Sequence, residues 1–340
     1  MKGKFTPRAA RRSVRLMCFI LLLTASAASS LVMGACKEKS KRFSGIRIFY
    51  LAGGDEDNFF AQSLARGARD AADDLGIGLT ILWSNWDKER ILLDFKSAIL
   101  AHPDGIAILG YPGERAVSPL INEARRKGIV VTSHNVDLPG LEEQWKTEGF
   151  GYVGQELRQS GRRLAAEAVR KTRADGDTVI VVIGIPGVPG RGERTLGIID
   201  DLENEGLEYR LYDFTEELPD SAAMQRKMED VLSQSRLWDL VLVDVSTQHF
   251  TEAMKELGID PDSFTAAAFD ISEPNLLDLE EGRLDLLLDQ QPYLQGYLPV
   301  LQCAMSIRYG FSGLHILTDG SIIDRSTLNL IKPLVEEGIR

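Results

Sequence analysis

The sequence predicts an α/β protein with two doubly wound parallel-sheet lobes joined by a three-segment hinge. Three observations carry that expectation. Short apolar runs of strand length alternate with longer amphipathic stretches of helix length, in two successive series. The 340 residues exceed what one hydrophobic core usually organises. The chain also passes between the series more than once: near 153–155, again near 290–292, and through a tail over 314–323.

In chain order, residues 37–44 are polar and read as a tether. The first series then predicts strands at 46–51, 79–82, 105–109 and 129–132. Helices at 59–75, 89–100 and 116–127 separate them. Gly76 stands where the first helix should stop. A longer connection over 135–150 leads to the second series. Its strands are expected at 152–153, 178–183, 209–212, 240–243, 265–268 and 284–288, and its helices at 158–171, 193–205, 221–235, 250–257 and 273–281. Gln290 and Gln291 end the last strand with amides that both donate and accept hydrogen bonds. Pro292 suits a first helical turn, and a helix is expected over 293–305. Polar amides thus sit where a strand becomes a helix, the place where open α/β sheets bind ligands. The resulting partition is a leader at 1–35, a tether at 36–44, an N-terminal lobe of 45–154 plus 291–318, and a C-terminal lobe of 155–290 plus 319–340.

Lys2, Lys4, Arg8, Arg11, Arg12 and Arg15 precede an apolar run over 16–23, and small residues follow as far as Cys36. Basic, apolar, small is the order of a secretory signal peptide. Residues 16–35 are also about as long as a bilayer span, so an uncleaved anchor is the competing reading. Thr24, Ser26, Ser29 and Ser30 weigh against it. Gly34-Ala35-Cys36 resembles a bacterial lipobox, which implies that Cys36 is acylated and becomes the first residue; Met33 stands where Leu is usual. Cys18 would leave with the leader, and Cys303 would then have no partner for an internal disulfide. Removing the six basic and no acidic residues of 1–35 takes the formal net charge from −11 to −17. So acidic a chain is not expected to bind nucleic acid.

Gln290-Gln291-Pro292-Tyr293 followed by Gln295-Gly296-Tyr297 resembles the last-crossover motif of type I periplasmic sugar-binding proteins, relatives of the ribose-binding protein that deliver solutes to ABC importers. Further motifs match in the family's order over most of 46–330. Asp57-Asn58-Phe59-Phe60 resembles an Asn-Pro-Phe-Phe segment. That implies Phe59 stacking on the ligand and Asp57 bonding a hydroxyl, while one of Phe59 and Phe60 is expected to anchor the helix into the sheet and the other to line the cleft. Asn135 falls where the family grips sugar hydroxyls, but Val136 replaces the Arg of ribose binders. Arg194-Thr195-Leu196-Gly197 resembles a segment whose Arg reaches the sugar, with Arg191 as the alternate. Phe269-Asp270 resembles the pair whose carboxylate binds hydroxyls, Ser246 or Thr247 occupies the matching loop, and Gln290 is the crossover amide.

The resemblance implies a lipid-anchored, extracytoplasmic, monomeric binding protein. It would capture a monosaccharide or polyol between its lobes and deliver it to an ABC permease. The alternative is a sensing module that presents a sugar-like signal to a membrane receptor or kinase. Catalysis and cofactors are not expected. Asp57 and Asp270 could face each other as a glycosidase pair, but no Ser/His/Asp, CxxC or HExxH pattern is present. The four histidines, His102, His134, His249 and His315, lack metal-ligand spacing. His134 reads as a structural side chain, and Trp86 as a residue packed under the helix or edging the cleft. The glycine-rich 184–197 stretch lacks the Gly-Lys-Ser/Thr ending of a phosphate loop.

Overall fold

The structure, a computed structural model, describes residues 42–218 and 220–340. The expected leader, Cys36 and all but the last residues of the tether lie outside the described residues. The elements run β1 (Arg47–Leu51), α1 (Phe59–Leu75), β2 (Gly78–Leu82), α2 (Lys88–Leu100), β3 (Gly105–Leu109), α3 (Glu114–Arg126), β4 (Val130–Asn135), α4 (Pro139–Trp145), β5 (Tyr152–Gly154) and α5 (Leu157–Thr172). They continue β6 (Ile180–Gly184), α6 (Glu193–Asn204), β7 (Tyr209–Asp213), α7 (Ser221–Leu232), β8 (Leu240–Val243), α8 (Thr247–Leu257), β9 (Thr265–Phe269), α9 (Glu273–Glu281), β10 (Leu286–Leu288), α10 (Pro292–Tyr309), β11 (His315–Leu317), β12 (Ile322–Ile323) and α11 (Leu328–Glu336).

The strands form two six-stranded sheets, ordered β11-β5-β4-β3-β1-β2 and β12-β10-β9-β8-β6-β7. All pairings are parallel except β10 with β12. Both sheets carry helices on their faces and bury their central strands completely, as Gly105–Leu109 and Leu240–Val243 do. The same device closes one helix pair in each lobe. A Cβ on Gly67 of α1 would strike the Tyr293 carbonyl oxygen of α10, and one on Gly296 would strike that of Leu64. In the other lobe Gly161 of α5 and Gly197 of α6 meet the Arg194 and Arg158 carbonyl oxygens.

Most elements fall within four residues of where the sequence places them, and three differences bear on the fold. β4 continues past Thr132 to Asn135, because Thr132 and Ser133 each donate a hydroxyl bond of 3.0 Å to the Gly151 carbonyl and so stay in the buried strand. The connection over 135–150 contains a short helix that opens on Pro139. The tail ends in α11, which packs on α9.

Three segments cross between the sheets: β5 to α5, β10 to α10, and β11 to β12. They lie side by side. The Thr318 amide donates to the Gly154 carbonyl (2.8 Å), the Thr318 hydroxyl to the Gln290 carbonyl (2.9 Å), and the Gly320 amide to the Asp289 carbonyl (3.0 Å).

Candidate ligand-binding cleft between the lobes

The loops after the strands' C-terminal ends bring the polar residues of the two sheets together. Among the described residues, six of the eight non-glycine residues with positive φ lie at or just past these strand ends: Asn85, Trp86, Asn135, Ser246, Asp270 and Gln291. Backbone held in this sparsely allowed region clusters at functional sites.

The wall from the second lobe is built around Asp244, which follows β8 and is buried. Its carboxylate accepts from Arg194 Nε and from the Thr195 hydroxyl, and from Arg191 Nη1 at 3.2 and 3.3 Å. Its carbonyl accepts from Arg191 Nη2 at 2.8 Å and Arg194 Nη2 at 3.2 Å. The Arg194 guanidinium lies over the Phe269 ring, 3.8 Å from its centre. Arg194 is 2% exposed, yet its Nη1 has no hydrogen-bond partner. Burial and the neighbouring Arg191 push its pKa down, while Asp244 and Asp270 oppose them. A fixed guanidinium with a spare donor, set against an aromatic ring, can donate a hydrogen bond to a polar group in a defined plane.

Asp270 follows β9. Its carboxylate accepts from the Gln290 amide, and its carbonyl accepts from Asn275 Nδ2 at 2.9 Å. Gln290 belongs to the second crossing and is tied to the first lobe through Gln295. Gln295 Nε2 donates to the Gln290 carbonyl (2.9 Å) and to Thr318 Oγ1 (3.1 Å), and Gln295 Oε1 accepts from Asn135 Nδ2 (3.2 Å). The Tyr152 hydroxyl reaches the carbonyls of Asn135 (3.1 Å) and Gln155 (2.7 Å). Gln155, on the first crossing, is fully buried, with both side-chain amide atoms unpartnered.

On the first lobe an aromatic set lines the strand ends. Trp86 packs 6.1 Å from Phe60 and 6.2 Å, edge on, from Tyr111. Gly53 and Gly54 leave room for the indole. Tyr111 also packs against the core of the second lobe. Burial raises its hydroxyl pKa, and the charge of Arg191 across the cleft opposes this. A Cβ on Gly190 would come 2.9 Å from a Val136 methyl, so the lobes meet there too. An open groove of about 550 Å³ lies at the lobes' margin, lined by Phe59, Trp83, Arg66, Ser272, Glu273 and Arg340 among others. Asn135, Arg194 and Gln290 do not line it.

Residues 49–308 match the family described as periplasmic binding protein domain. The chain belongs to that family. Among curated relatives, the xylose/arabinose-binding protein XylF of Sulfolobus acidocaldarius is 26% identical over 229 residues, 63% of this chain and 54% of that protein. The chain thus matches about half the length of that relative. A carbohydrate transporter from Acidothermus cellulolyticus 11B in complex with myo-inositol superposes with a TM-score of 0.71 at 22% identity, covering 87% of this chain and 99% of that one. An ABC transporter solute binding protein from Burkholderia graminis C4D1M in complex with D-arabinose superposes at 0.73 and 20% identity, covering 85% and 98%. The two-lobed architecture is the type I form of the family that the 290–297 stretch resembles.

Against this periplasmic binding protein frame, the expected residues divide into two groups. Arg194, Asp270 and Gln290 converge on one wall and hinge, and Asn135 joins them through Gln295. Asp57 is exposed in a turn, its amide donating to Asp55 Oδ1 at 3.2 Å. Phe59 is 42% exposed on the marginal groove, whereas Phe60 packs inward on Trp86. Asn58, at the family's Pro position, caps α1 by accepting from the Ala61 amide at 3.0 Å. The Ser246 hydroxyl lies 2.8 Å from His249 Nδ1, and Thr247 donates to the Phe269 carbonyl. His134 is a core residue: it stacks on Tyr50 at 4.6 Å, and its Nε2 donates to the Leu51 carbonyl at 3.0 Å. Asp244, Gln155 and Tyr111 were not singled out from sequence, and Gln295 was named only as part of the crossover motif, not as a site residue. Asp244 had a readable signal, a carboxylate directly after the apolar run Leu240–Val243. Gln155 had none. Among the described residues no group of three or more His, Cys, Asp or Glu could hold a metal ion, and no helix is long and apolar enough to cross a membrane.

Proposed function

We propose that this chain is a lipid-anchored solute-binding protein of an ABC importer, which captures a monosaccharide or polyol between its lobes and hands it to a membrane permease. One observation carries the reading most: Arg194 Nη1, buried beside Asp244 and over Phe269, has no partner. A buried donor left unpaired costs free energy, so such groups ordinarily have a partner. A ligand hydroxyl would supply one, with Asp270 and Asn135 as further hydroxyl partners, the unpaired Gln155 amide as another, and the rings of Trp86 and Phe60 as apolar surface for the C–H face. The named ligands of the structural neighbours, myo-inositol and D-arabinose, are of this class. The moving bodies would be 45–154 plus 291–318 and 155–290 plus 319–340. Acylation at Cys36 would hold the protein outside the cytoplasm, at the face where the permease opens.

A thermal-shift screen of pentoses, hexoses and polyols tests this, because a ligand that binds only the folded state raises its melting temperature. Calorimetry with the best ligand should show Arg194→Ala binding roughly ten- to a hundredfold more weakly, as expected for one charge-assisted hydrogen bond. No shift with any sugar or polyol, or unchanged affinity in the variant, would refute the site.

A further inference from the structure

The described residues include thirteen exposed large apolar side chains, and four of them fall between Tyr309 and Leu317. Tyr309 is 45% exposed, Phe311 53%, Leu314 56% and Leu317 50%. The Tyr309 and Phe311 rings lie 5.6 Å apart, and Phe43 meets Tyr309 edge on at 6.0 Å. Phe43 itself is buried, so it fixes the point where the chain enters the fold. The segment is held firmly: the Leu314 amide donates to Gln302 Oε1 (3.1 Å), and its carbonyl accepts from the Tyr152 amide (2.9 Å). An apolar face kept rigid and exposed marks an interaction surface.

Its place in the fold says which partner it fits. α10 starts at the hinge with Pro292 and ends at Tyr309, and its 18 residues span about 27 Å. Tyr309 and Phe311 therefore sit at the end of the N-terminal lobe remote from the cleft. Cys36 precedes Phe43 by seven residues, which reach at most roughly 25 Å when fully extended. A lipid on Cys36 keeps this end of the molecule within that distance of the bilayer. The charges agree. Lys37, Lys39, Lys41 and Arg42 surround the single Glu38, and Arg308 is exposed beside Tyr309. The chain after residue 35 carries a formal net charge of −17. An anionic surface would attract this basic end and repel the rest. Tyrosine, with an apolar ring and a polar tip, suits the headgroup layer.

We infer that the face formed by Tyr309, Phe311 and Leu314 rests on the bilayer that carries the Cys36 lipid, and that it sets the orientation of the protein. The inference depends on the lipid-anchored reading above. Contact at this end leaves the cleft clear of the membrane and the second lobe free to move.

The test uses the full lipoprotein in vesicles of phosphatidylcholine and phosphatidylglycerol, with a nitroxide attached through Phe311→Cys or, for reference, Leu237→Cys. Leu237 is 79% exposed on the other lobe. Burial pushes the Cys303 thiol up to about 12, so it stays protonated and unlabelled at neutral pH. Collision with dissolved oxygen, enriched in lipid, should exceed collision with a water-soluble nickel chelate several-fold more at position 311 than at 237. Equal, water-like ratios on a chain with acylated Cys36 would overturn the orientation and leave the anchor intact. An unmodified Cys36 by mass spectrometry would overturn both together. Shielding of position 311 in native membranes holding the permease, but not in pure lipid, would assign the face to a protein partner and overturn the bilayer contact.

Discussion

Asp244 holds the second lobe's wall, and its removal should cost more stability than that of either arginine it pairs. Asp244→Ala would leave buried Arg194 and largely buried Arg191 without their carboxylate. Breaking one side of a buried ion pair destabilises by about 3–5 kcal/mol. Urea unfolding should show that loss as a lower midpoint with an unchanged slope. Arg194→Ala should cost less, because Asp244 keeps Arg191 and Thr195. His134 gives a second, pH-dependent expectation. Burial holds its folded pKa down to about 3, against about 6.5 when unfolded. Between those values the unfolded chain binds the extra proton, so the contribution is present above pH 6.5 and is lost as pH falls toward 3. Between pH 7 and pH 5 the loss is about 2 kcal/mol, and His134→Gln should flatten that part of the stability profile measured by denaturant titration. At this scale, a residue's placement was readable where motif order fixed it, as for Arg194 and Asp270. It was not readable where partners come from distant segments. Gln295 touches Asn135 across 160 positions, and nothing local in either stretch encodes that pairing.

At the scale of elements, close helix packing depends on glycines that local propensity would count as faults. Gly67→Ala illustrates the conflict. In an exposed helix interior the change would stabilise by roughly 0.5–1 kcal/mol. Here the added methyl meets the Tyr293 carbonyl oxygen of α10, and backbone cannot swing aside as a side-chain tip can. Overpacking of this kind costs about 1–3 kcal/mol, so the net effect should be destabilising, and a denaturant midpoint above wild type would refute the argument. The same geometry shows what was legible among the elements. Buried strands such as Gly105–Leu109 and Leu240–Val243 read directly from their apolar runs, and α1 from its periodicity and terminal glycine. β4 read three residues short because Ser133, His134 and Asn135 look like a loop until Gly151, Leu51 and Gln295 supply their hydrogen-bond partners. α4 was hidden in a connection whose only helical signal is Pro139 at its start.

For the whole molecule, the two-lobe plan followed from the repeated strand–helix series. The bonding of the three crossings into one unit did not, because it joins residues 154, 290 and 318 through Thr318. That unit determines how the lobes can move. A hinge of three adjacent segments permits bending that opens the cleft, the hinge motion through which periplasmic binding proteins close around their ligands. Across the cleft the lobes meet where Val136 faces Gly190 and where Tyr111 packs against the core of the second lobe. On the proposed site, a ligand bridging Arg194 and Asp270 on one wall and Asn135 on the other would bind the closed form better, and only that difference can shift the equilibrium. Moving the population from 1:99 to 99:1 requires about 5.5 kcal/mol of differential binding, within reach of two or three charge-assisted hydrogen bonds and a stacked ring. Small-angle X-ray scattering should therefore give a larger radius of gyration for the free protein than for the saturated one, and Arg194→Ala should need more ligand to reach the compact form. Identical scattering curves with and without a ligand whose binding calorimetry has established would mean a rigid receptor, and closure could not then be the signal a permease reads.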